Sequence, residues 1–211
     1  MNKLYIINKF KRLNPTLLKL SYFNLYNKEI NNSNMVKQSI FLKNELLIRL
    51  SHNIFNLINL PYGLPEKKNI YNEINSHIYS FDKIYSFKKI NNDNNDIFVN
   101  LLNNVKQRNS NLEYNISESL IDLNNLNYSN LINLQKMNYK LDTIFLLNIS
   151  IKTLIEQHNY MYTYKKSIIN NCNINNIITN VCNDVNCISN RIYNKSVNFR
   201  NEGIFKFFKK N

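Results

Sequence analysis

The sequence contains very little glycine, and this scarcity excludes several kinds of phosphate-binding site. Its 211 residues include two glycines, Gly63 and Gly203, which lie far apart. P-loops, dinucleotide fingerprints and kinase glycine loops need clustered glycines, because the backbone must approach a phosphate without an intervening Cβ. This chain, taken alone, is therefore not expected to bind ATP.

Alanine and tryptophan are absent, whereas asparagine, isoleucine and lysine are abundant. Such a bias is typical of an A+T-rich genome, so asparagine carries little local structural information. Hydrophobic residues still make up 44% of the chain, which is enough for the core of one domain of ordinary size with a small appendage. The longest apolar run, Ile144–Leu147, is far shorter than the roughly 20 residues that span a bilayer, so no transmembrane helix is predicted.

The cysteines and histidines form no recognisable metal or catalytic pattern. Cys172, Cys182 and Cys187 match no metal-ligand spacing, and one thiol stays unpaired if the other two join. The three histidines are far apart and outside any H-E-x-x-H arrangement. We therefore predict reduced cysteines, no metal site and no catalytic residue.

Positive charge dominates, with 27 Lys and Arg against 14 Asp and Glu, a net charge of +13. The cations are scattered, and no base-reading motif, basic arm or zinc-finger spacing accompanies them, so the sequence disfavours nucleic acid as a partner. A basic module on RNA or an anionic membrane is an alternative hypothesis that predicts strongly salt-dependent binding. The basic residues before Glu29 favour an organelle transit sequence, with an ordinary basic first helix as the alternative.

Apolar residues recur at three- and four-residue steps along most of the chain, which predicts an all-α protein. The clearest boundary is Pro61–Pro65, because its two prolines fix φ and remove backbone donors. Before it, a helix from about Val36 is predicted to present one apolar stripe to the core. That stripe comprises Ile40, Phe41, Leu47, Leu50, Ile54, Leu57 and Ile58.

The other predicted helices, in chain order, are a short one opening at Pro15, one from Glu66 to Phe81, one from Phe98 to Leu120, one from Leu134 to Ile155, and one from Asn175 to Tyr193. Asn91–Asn95 is predicted to be a loop, and the stretch after His158 a connector. Long amphipathic helices joined by short turns favour an antiparallel four-helix bundle. Glu45 and Arg49, four residues apart, are predicted to form a small ion pair.

Two segments carry an order that composition does not explain. They are F-L-K-N-E-L-L-I-R-L-S-H-N-I-F-N-L-I-N-L-P over Phe41–Pro61 and Y-K-L-D-T-I-F-L-L-N-I-S-I-K-T-L-I-E-Q-H over Tyr139–His158. H-I-Y-S-F-D-K-I from His77 and V-K-Q-R-N from Val105 lie between them, and S-I-I-N-N-C-N-I-N-N-I-I follows from Ser167. In this order the segments resemble the amino-terminal domain of the mitochondrial pyruvate dehydrogenase kinase and branched-chain 2-oxoacid dehydrogenase kinase family.

The resemblance implies a helical regulatory and docking domain over residues 1–163. A connector and the start of an incomplete histidine-kinase-type ATPase domain then occupy residues 164–211, so the bundle has an additional short amino-terminal helix and a carboxy-terminal helix. In the family, the complete enzyme uses ATP and Mg²⁺ to phosphorylate serine or threonine of a 2-oxoacid dehydrogenase in the mitochondrial matrix. The family's Asn-bearing helix, D-x-G-x-G motif and glycine-rich lid have no counterpart here, so ATP and Mg²⁺ are expected by resemblance only.

Two functions follow from the resemblance, and both pyruvate and branched-chain dehydrogenases stay open as targets. The chain is either the bundle domain of a kinase or, alternatively, a catalytically inactive docking or scaffold protein. Such a protein would bind lipoyl domains or a full-length kinase. The expected partners are the lipoyl domain of the acyltransferase core and the dehydrogenase subunit. A homodimer is expected only through the region that the family places after this segment.

The resemblance also implies two binding sites within the bundle. The lipoyl-binding pocket of the family matches this chain approximately at Tyr22 and Phe23. A pocket for small acids contains Arg108 and Lys152, which could hold a carboxylate, whereas asparagines stand where the family has a ring and a charge. Its six matching positions are His77, Ser80, Arg108, Asn109, Asn148 and Lys152.

Overall fold

A computed structural model of the chain describes residues 3–17, 32–125, 134–164 and 174–199. Within these ranges the regular structure is entirely helical, which confirms the all-α prediction. The helices are α1 (Lys3–Lys11), α2 (Asn32–Ile58), α3 (Lys68–Ser86), α4 (Asn95–Arg108), α5 (Leu112–Asn125), α6 (Leu134–Tyr164) and α7 (Ile174–Tyr193), with a 3-10 turn at Leu64–Glu66. None of these helices is both long enough and apolar enough to cross a membrane.

The chain forms two compact units, Met1–Ser167 and Ile168–Asn211. The second unit contains α7, and two hydrogen bonds hold the following residues against it. Asn186 Oδ1 accepts from the backbone N–H of Val197 at 2.8 Å, and Ser189 Oγ donates to the carbonyl oxygen of Lys195 at 2.8 Å. The assignment of this second unit to an ATPase domain stays a prediction.

The first unit is a four-helix bundle, as predicted. Helix α2 packs against both α3 and α6, while α4 packs against α3, α6 and α2, and α5 packs against α3. One predicted helix is divided into α4 and α5, because the chain leaves helical geometry at Asn109 (φ −95°, ψ 18°). Asn109, Ser110 and Asn111 favour turns, since their side chains compete for backbone hydrogen bonds. Helix α6 also continues to Tyr164, where a connector after His158 was predicted.

The core-facing surface of α2 differs from the predicted stripe at both ends. Ile40, Phe41 and Ile58 are exposed, although the sequence placed them in the core. The chain is so rich in isoleucine and phenylalanine that three- and four-residue spacing alone could not separate the two faces of the helix. The buried face of α2 includes several polar residues instead, namely Gln38, Ser39, Glu45, Arg49, Ser51 and Asn53.

The turn after α2 forms where the prolines predicted it. Helix α2 ends at Ile58, three residues before Pro61. Tyr62 and Gly63 then adopt consecutive left-handed conformations, with φ 62° and 68°. Glycine adopts this conformation without a steric penalty because it lacks a Cβ. The turn brings Leu64 into the core, where it is fully buried.

Helix α1 is part of the core, although the sequence placed the first helix at Pro15. Ile7 is buried, and the Phe10 ring lies edge-on to Phe81 and Tyr85, with centroid separations of 5.6 and 6.1 Å. The prediction at Pro15 was wrong for residues 15–17, which are not helical. The rest of that predicted helix lies outside the described residues.

Glu45 and Arg49 form the predicted ion pair at 3.2 Å, and both side chains are buried. Glu45 accepts hydrogen bonds from the backbone N–H of Thr16 at 3.2 Å and from its hydroxyl at 2.5 Å. Arg49 donates to the carbonyl oxygen of Thr16 at 2.7 Å and to Ser150 Oγ at 3.1 Å. The pair therefore joins α2 to α6 and to the segment that follows α1.

We expect Phe10→Ala to lower the free energy of unfolding by about 2–3 kcal/mol, because it removes an aromatic ring packed on Phe81 and Tyr85. Urea denaturation measures this change. Tyr5→Ala on the same helix is the control, since Tyr5 is exposed and its loss should cost less than about 0.5 kcal/mol. Equal effects of the two substitutions would show that α1 does not contribute to the core.

Candidate functional site

A set of polar side chains from α2, α3, α5 and α6 lies inside the bundle. We call this set the polar centre. Asn53, His77 and Asn148 are fully buried and Glu73 is almost so, whereas Lys152 is partly exposed. Buried polar groups destabilise the folded state unless they are hydrogen-bonded, so each group in such a site needs partners. The polar centre comprises Asn53, Glu73, His77, Glu113, Asn115, Asn148 and Lys152.

His77 connects α3 to α2 through both of its ring nitrogens. Nδ1 lies 2.9 Å from the backbone carbonyl oxygen of Glu73, and Nε2 lies 3.2 Å from Nδ2 of Asn53. Burial lowers the pKa of His77 to about 4, so the ring is neutral at pH 7. The neutral ring satisfies both contacts when Nδ1 donates to the carbonyl oxygen and Nε2 accepts from the Asn53 amide.

Glu73 places a carboxylate next to this histidine. Its Oε1 accepts a hydrogen bond from Asn115 Nδ2 at 2.5 Å. Its Oε2 has no hydrogen-bond partner in the described part of the chain and lies 3.8 Å from His77 Nδ1. Burial raises the pKa of Glu73, although the hydrogen bond from Asn115 opposes this shift. Glu73 is therefore an acid with one oxygen left unsatisfied in the interior.

Glu113, on α5, binds two side chains of α6. It accepts from Asn148 Nδ2 at 2.8 Å and from Lys152 Nζ at 3.1 and 3.2 Å. Burial alone would raise the pKa of the Glu113 carboxyl, but hydrogen bonds from its own backbone amide, Lys152 and Asn148 lower it overall. Glu113 is thus ionised at neutral pH, and it neutralises Lys152.

The six residues predicted for an acid pocket are divided among four settings. His77 contacts Asn53 on α2, while Asn148 and Lys152 bind Glu113. Ser80 and Asn109 form the third setting with the neighbouring Ser76. Asn109 Oδ1 accepts from Ser76 Oγ at 3.3 Å and from Ser80 Oγ at 3.5 Å. Its Nδ2 is buried and has no partner among the residues that the structure describes.

Arg108, the sixth predicted residue, lies on the surface between α3 and α4. Its guanidinium carbon is 4.3 Å from the centroid of the Tyr79 ring, and Lys83 Nζ is 5.2 Å from the same ring. Both distances fit cation–π contacts. Arg108 therefore lies with Lys83, whereas Lys152 lies with Glu113. Arg108, Tyr79 and Lys83 line a groove of about 610 Å³, together with Ser80, Leu101, Asn104, Val105 and Gln107.

Four residues of the polar centre were missed by the sequence analysis, namely Asn53, Glu73, Glu113 and Asn115. One signal was available for Glu73 and His77. On a helical wheel these residues share the apolar face of α3 with Ile70 and Ile74, so their burial was predictable. The asparagines gave no such signal, since asparagine is frequent everywhere in this chain.

A second buried polar group joins α2, α4 and α6. Ser39 Oγ lies 3.0 Å from the Met35 carbonyl oxygen, 2.7 Å from Asn95 Oδ1 and 3.1 Å from His158 Nε2. Burial lowers the pKa of His158 to about 4. His158 therefore connects the helices of the bundle as a neutral side chain.

The described residues include neither of the two residues predicted for the lipoyl pocket. They also include no group that could hold a metal ion. Tyr22 and Phe23 lie outside the described ranges, so their predicted role stays a prediction. Within those ranges, no three His, Cys, Asp or Glu residues are grouped so that they could hold a metal ion. Gly63 forms the bend after α2. The expectation that this chain alone does not bind ATP and Mg²⁺ stays a prediction.

Known proteins with similar sequences are kinases of mitochondrial dehydrogenases. Residues 16–182 match a family model described as mitochondrial branched-chain alpha-ketoacid dehydrogenase kinase. A mitochondrial pyruvate dehydrogenase (acetyl-transferring) kinase from Arabidopsis thaliana is 27% identical over 154 residues, which are 72% of this chain and 41% of the relative. The matched segment therefore spans less than half the length of that relative.

Proposed function

Because this chain belongs to the mitochondrial branched-chain alpha-ketoacid dehydrogenase kinase family, we propose that it is the helical regulatory and docking domain of a protein kinase. The observation that carries this proposal is the family match over residues 16–182, which includes all of α2 to α6. The proposed substrate of the complete kinase is a serine or threonine of a mitochondrial 2-oxoacid dehydrogenase. The proposed location is the mitochondrial matrix.

The proposed role of the bundle is to bind the dehydrogenase complex through a lipoyl domain of its acyltransferase core. In a complete kinase, bound ATP supplies the phosphoryl group and Mg²⁺ neutralises its charge. We assign no step of phosphoryl transfer to the described residues of the bundle. The bundle instead contributes closely packed helices. These helices hold the residues that bind a partner in a fixed arrangement.

A catalytically inactive docking or scaffold protein is the second proposal. The sequence feature that favours it is the pair of isolated glycines, since a nucleotide cradle needs several glycines close together. Both proposals share lipoyl-domain binding and differ in phosphoryl transfer. An assay of the protein with radiolabelled ATP, Mg²⁺ and purified dehydrogenase separates them.

Lipoyl-domain binding is tested by isothermal titration of the protein with lipoyl domains of pyruvate and branched-chain acyltransferases, each with and without the lipoyl group. We expect binding only when the domain is lipoylated. We also expect the dissociation constant to change less than about threefold between 0.1 and 0.5 M salt, because an apolar contact is not screened. A steep loss with salt would instead favour the RNA or membrane alternative.

The variants for this test are Tyr22→Ala and Phe23→Ala, which remove the predicted aromatic contacts of the lipoyl pocket. Each is expected to weaken binding at least about tenfold, the effect of losing one buried aromatic anchor. Tyr5→Ala is the matched control, because it removes an exposed aromatic ring from α1. Equal binding of domains with and without the lipoyl group would refute the docking proposal.

A further inference from the structure

The groove between α3 and α4 is open to solvent, unlike the polar centre. Its volume is about 610 Å³, which is within the usual range of small-molecule pockets, about 300–1,000 Å³. Tyr79 and Lys83 line it from α3, and Arg108 lines it from α4. All three side chains are exposed. A small solute can therefore reach these side chains directly from solvent.

The positive charge of this groove is not balanced by acids of its own. Lys83 and Arg108 line it, and no Asp or Glu does so among the residues that the structure describes. The ion pairs found in the described ranges include neither of these cations. Asp82, the sequence neighbour of Lys83, instead lines a small cavity between α1 and α3. The groove thus presents two positive charges to an anion.

Tyr79 holds the two cations close to each other. Its ring centroid is 4.3 Å from the guanidinium carbon of Arg108 and 5.2 Å from Lys83 Nζ. The two charges are therefore no more than about 10 Å apart, because both contact one ring. Contact with a ring restricts a guanidinium but leaves its N–H groups able to bind a carboxylate. Arg108 is thus positioned for an anion before one binds.

The less exposed part of the lining is apolar. Val105 is buried and Leu101 is partly buried, and both belong to α4. Asn104 and Gln107 on the same helix are exposed and add amide groups. Small-molecule sites in general combine an apolar lining with a few polar groups that fix the orientation of the ligand. This lining therefore suits a short hydrocarbon chain with charged ends.

We propose that the groove binds a linear dicarboxylate of four or five carbons. One carboxylate binds the guanidinium of Arg108 and the other binds Lys83. The methylene groups contact Leu101 and Val105. An extended chain of this length holds its carboxylate carbons about 4–5 Å apart, and each carboxylate oxygen lies about 3 Å from the cation that it binds. Such a molecule can span the two charges. Nothing in this site depends on the proposed kinase or docking function.

The groove differs from the acid pocket that the resemblance implies. Ser80 and Arg108 line the groove, whereas three of the other four predicted residues belong to the polar centre. Lys83, which was not among the six predicted residues, supplies the second charge. A monocarboxylate neutralises only one of the two cations. The groove should therefore select a dicarboxylate over a monocarboxylate of similar size.

The test is a nuclear magnetic resonance titration of the isotope-labelled 211-residue protein at pH 7.5 and constant ionic strength. Glutarate is expected to shift amide signals of α3 and α4 and to bind at least about tenfold more tightly than butyrate, which has one carboxylate. Equal affinity for glutarate and butyrate would overturn the proposal in favour of a single-carboxylate site. Tighter binding of inorganic phosphate would overturn it in favour of a general anion site. The absence of any shift with glutarate would also refute it.

The variants for this titration are Arg108→Gln and Lys83→Gln, each of which removes one of the two charges. Each should weaken glutarate binding at least about fivefold and leave butyrate binding less affected. Both side chains are exposed, so the variants should fold, and Arg108→Lys should recover part of the affinity because it keeps the charge. Lys37→Gln is the matched control, since it removes the same charge from an exposed position of α2 outside the groove. Equal losses in Lys37→Gln and Lys83→Gln would overturn the proposal in favour of attraction by the net charge of +13.

Discussion

Replacing Arg49 by methionine is expected to lower the free energy of unfolding by about 3–5 kcal/mol, the usual result of removing one partner from a buried ion pair. Methionine retains much of the apolar length of the arginine side chain, so the loss reports mainly on charge and hydrogen bonding. Glu45 would then be left buried, with Thr16 as its partner. Urea denaturation monitored by circular dichroism measures the change.

The size of this effect follows from the number of connections that Arg49 makes. Its guanidinium binds Glu45 on its own helix, the Thr16 carbonyl oxygen before α2 and Ser150 on α6. Burial lowers the pKa of Arg49, while the charge of Glu45 opposes that shift. A charge held in this way is stabilised only while its partners stay in place.

An exposed ion pair in the same bundle provides the matched control. Lys106 Nζ lies 2.7 Å from Glu156, and both side chains are more than 40% exposed. Lys106→Met should cost less than about 1 kcal/mol, because solvent screens the charges of such a pair. The double variant Glu45→Gln with Arg49→Met should recover part of the stability lost in Arg49→Met. If Arg49→Met and Lys106→Met cost the same, the buried pair does not hold the amino-terminal segment.

Acidification from pH 7 to pH 5 is expected to lower the free energy of unfolding by about 4 kcal/mol, or about 2 kcal/mol for each of two buried histidines. The pKa of both His77 and His158 is about 4 in the folded protein, against 6.5 for a free histidine. A total stability of about 5–15 kcal/mol is normal for a domain. A loss of this size would therefore bring the protein close to unfolding.

The sign follows from which state binds protons. Between pH 6.5 and pH 4 the unfolded chain protonates both histidines, and the folded chain does not, so stability falls as the pH falls. Above pH 6.5 both states are neutral at these positions, and the full stability is present. Glu73 acts in the opposite direction, because its raised pKa lets the folded state take up a proton more readily than the unfolded state.

Urea midpoints measured from pH 7.5 to pH 5 test this expectation. His158→Gln should reduce the pH dependence by about half, because one histidine still titrates. Ser39→Ala is the control, since it removes the hydroxyl next to His158 but keeps both histidines. It should lower stability by a similar amount at each pH. A flat profile for the unaltered protein would contradict the assignment of two buried, neutral histidines.

The sequence correctly predicted those helices in which the apolar spacing and the boundary residues indicate the same limits. Helix α3, with Ile70, Ile74 and Phe81 on one face, and the end of α2 before Pro61 were both found in this way. Helix α1 was missed, because its nine residues are too few to show periodicity and its partners are distant in sequence. The buried face of α2 was located only in part, at Leu47, Leu50, Ile54 and Leu57. Tertiary packing left Phe41 in solvent and Arg49 inside, which the spacing did not indicate.

The polar centre could be predicted only in part. The resemblance selected His77, Asn148 and Lys152, which do belong to it, but it did not indicate their partners. Glu73 faces inward because α3 has to bury the apolar residues beside it. Glu113 comes next to Lys152 only because the chain breaks at Asn109 and starts a new helix. Such a contact depends on helix placement, which no local pattern encodes.

The packing of α1 also has a consequence for the order in which parts of the bundle fold during synthesis. Phe10 leaves the ribosome long before Phe81 and Tyr85, the rings that it packs against. At about 5–20 residues per second, roughly 70 residues of further synthesis take about 4–14 s. During that interval α1 can pack on α2, its neighbour in the bundle, but Phe10 still lacks the two rings of its final site. Helix α1 therefore reaches its final packing only after the third helix has been made.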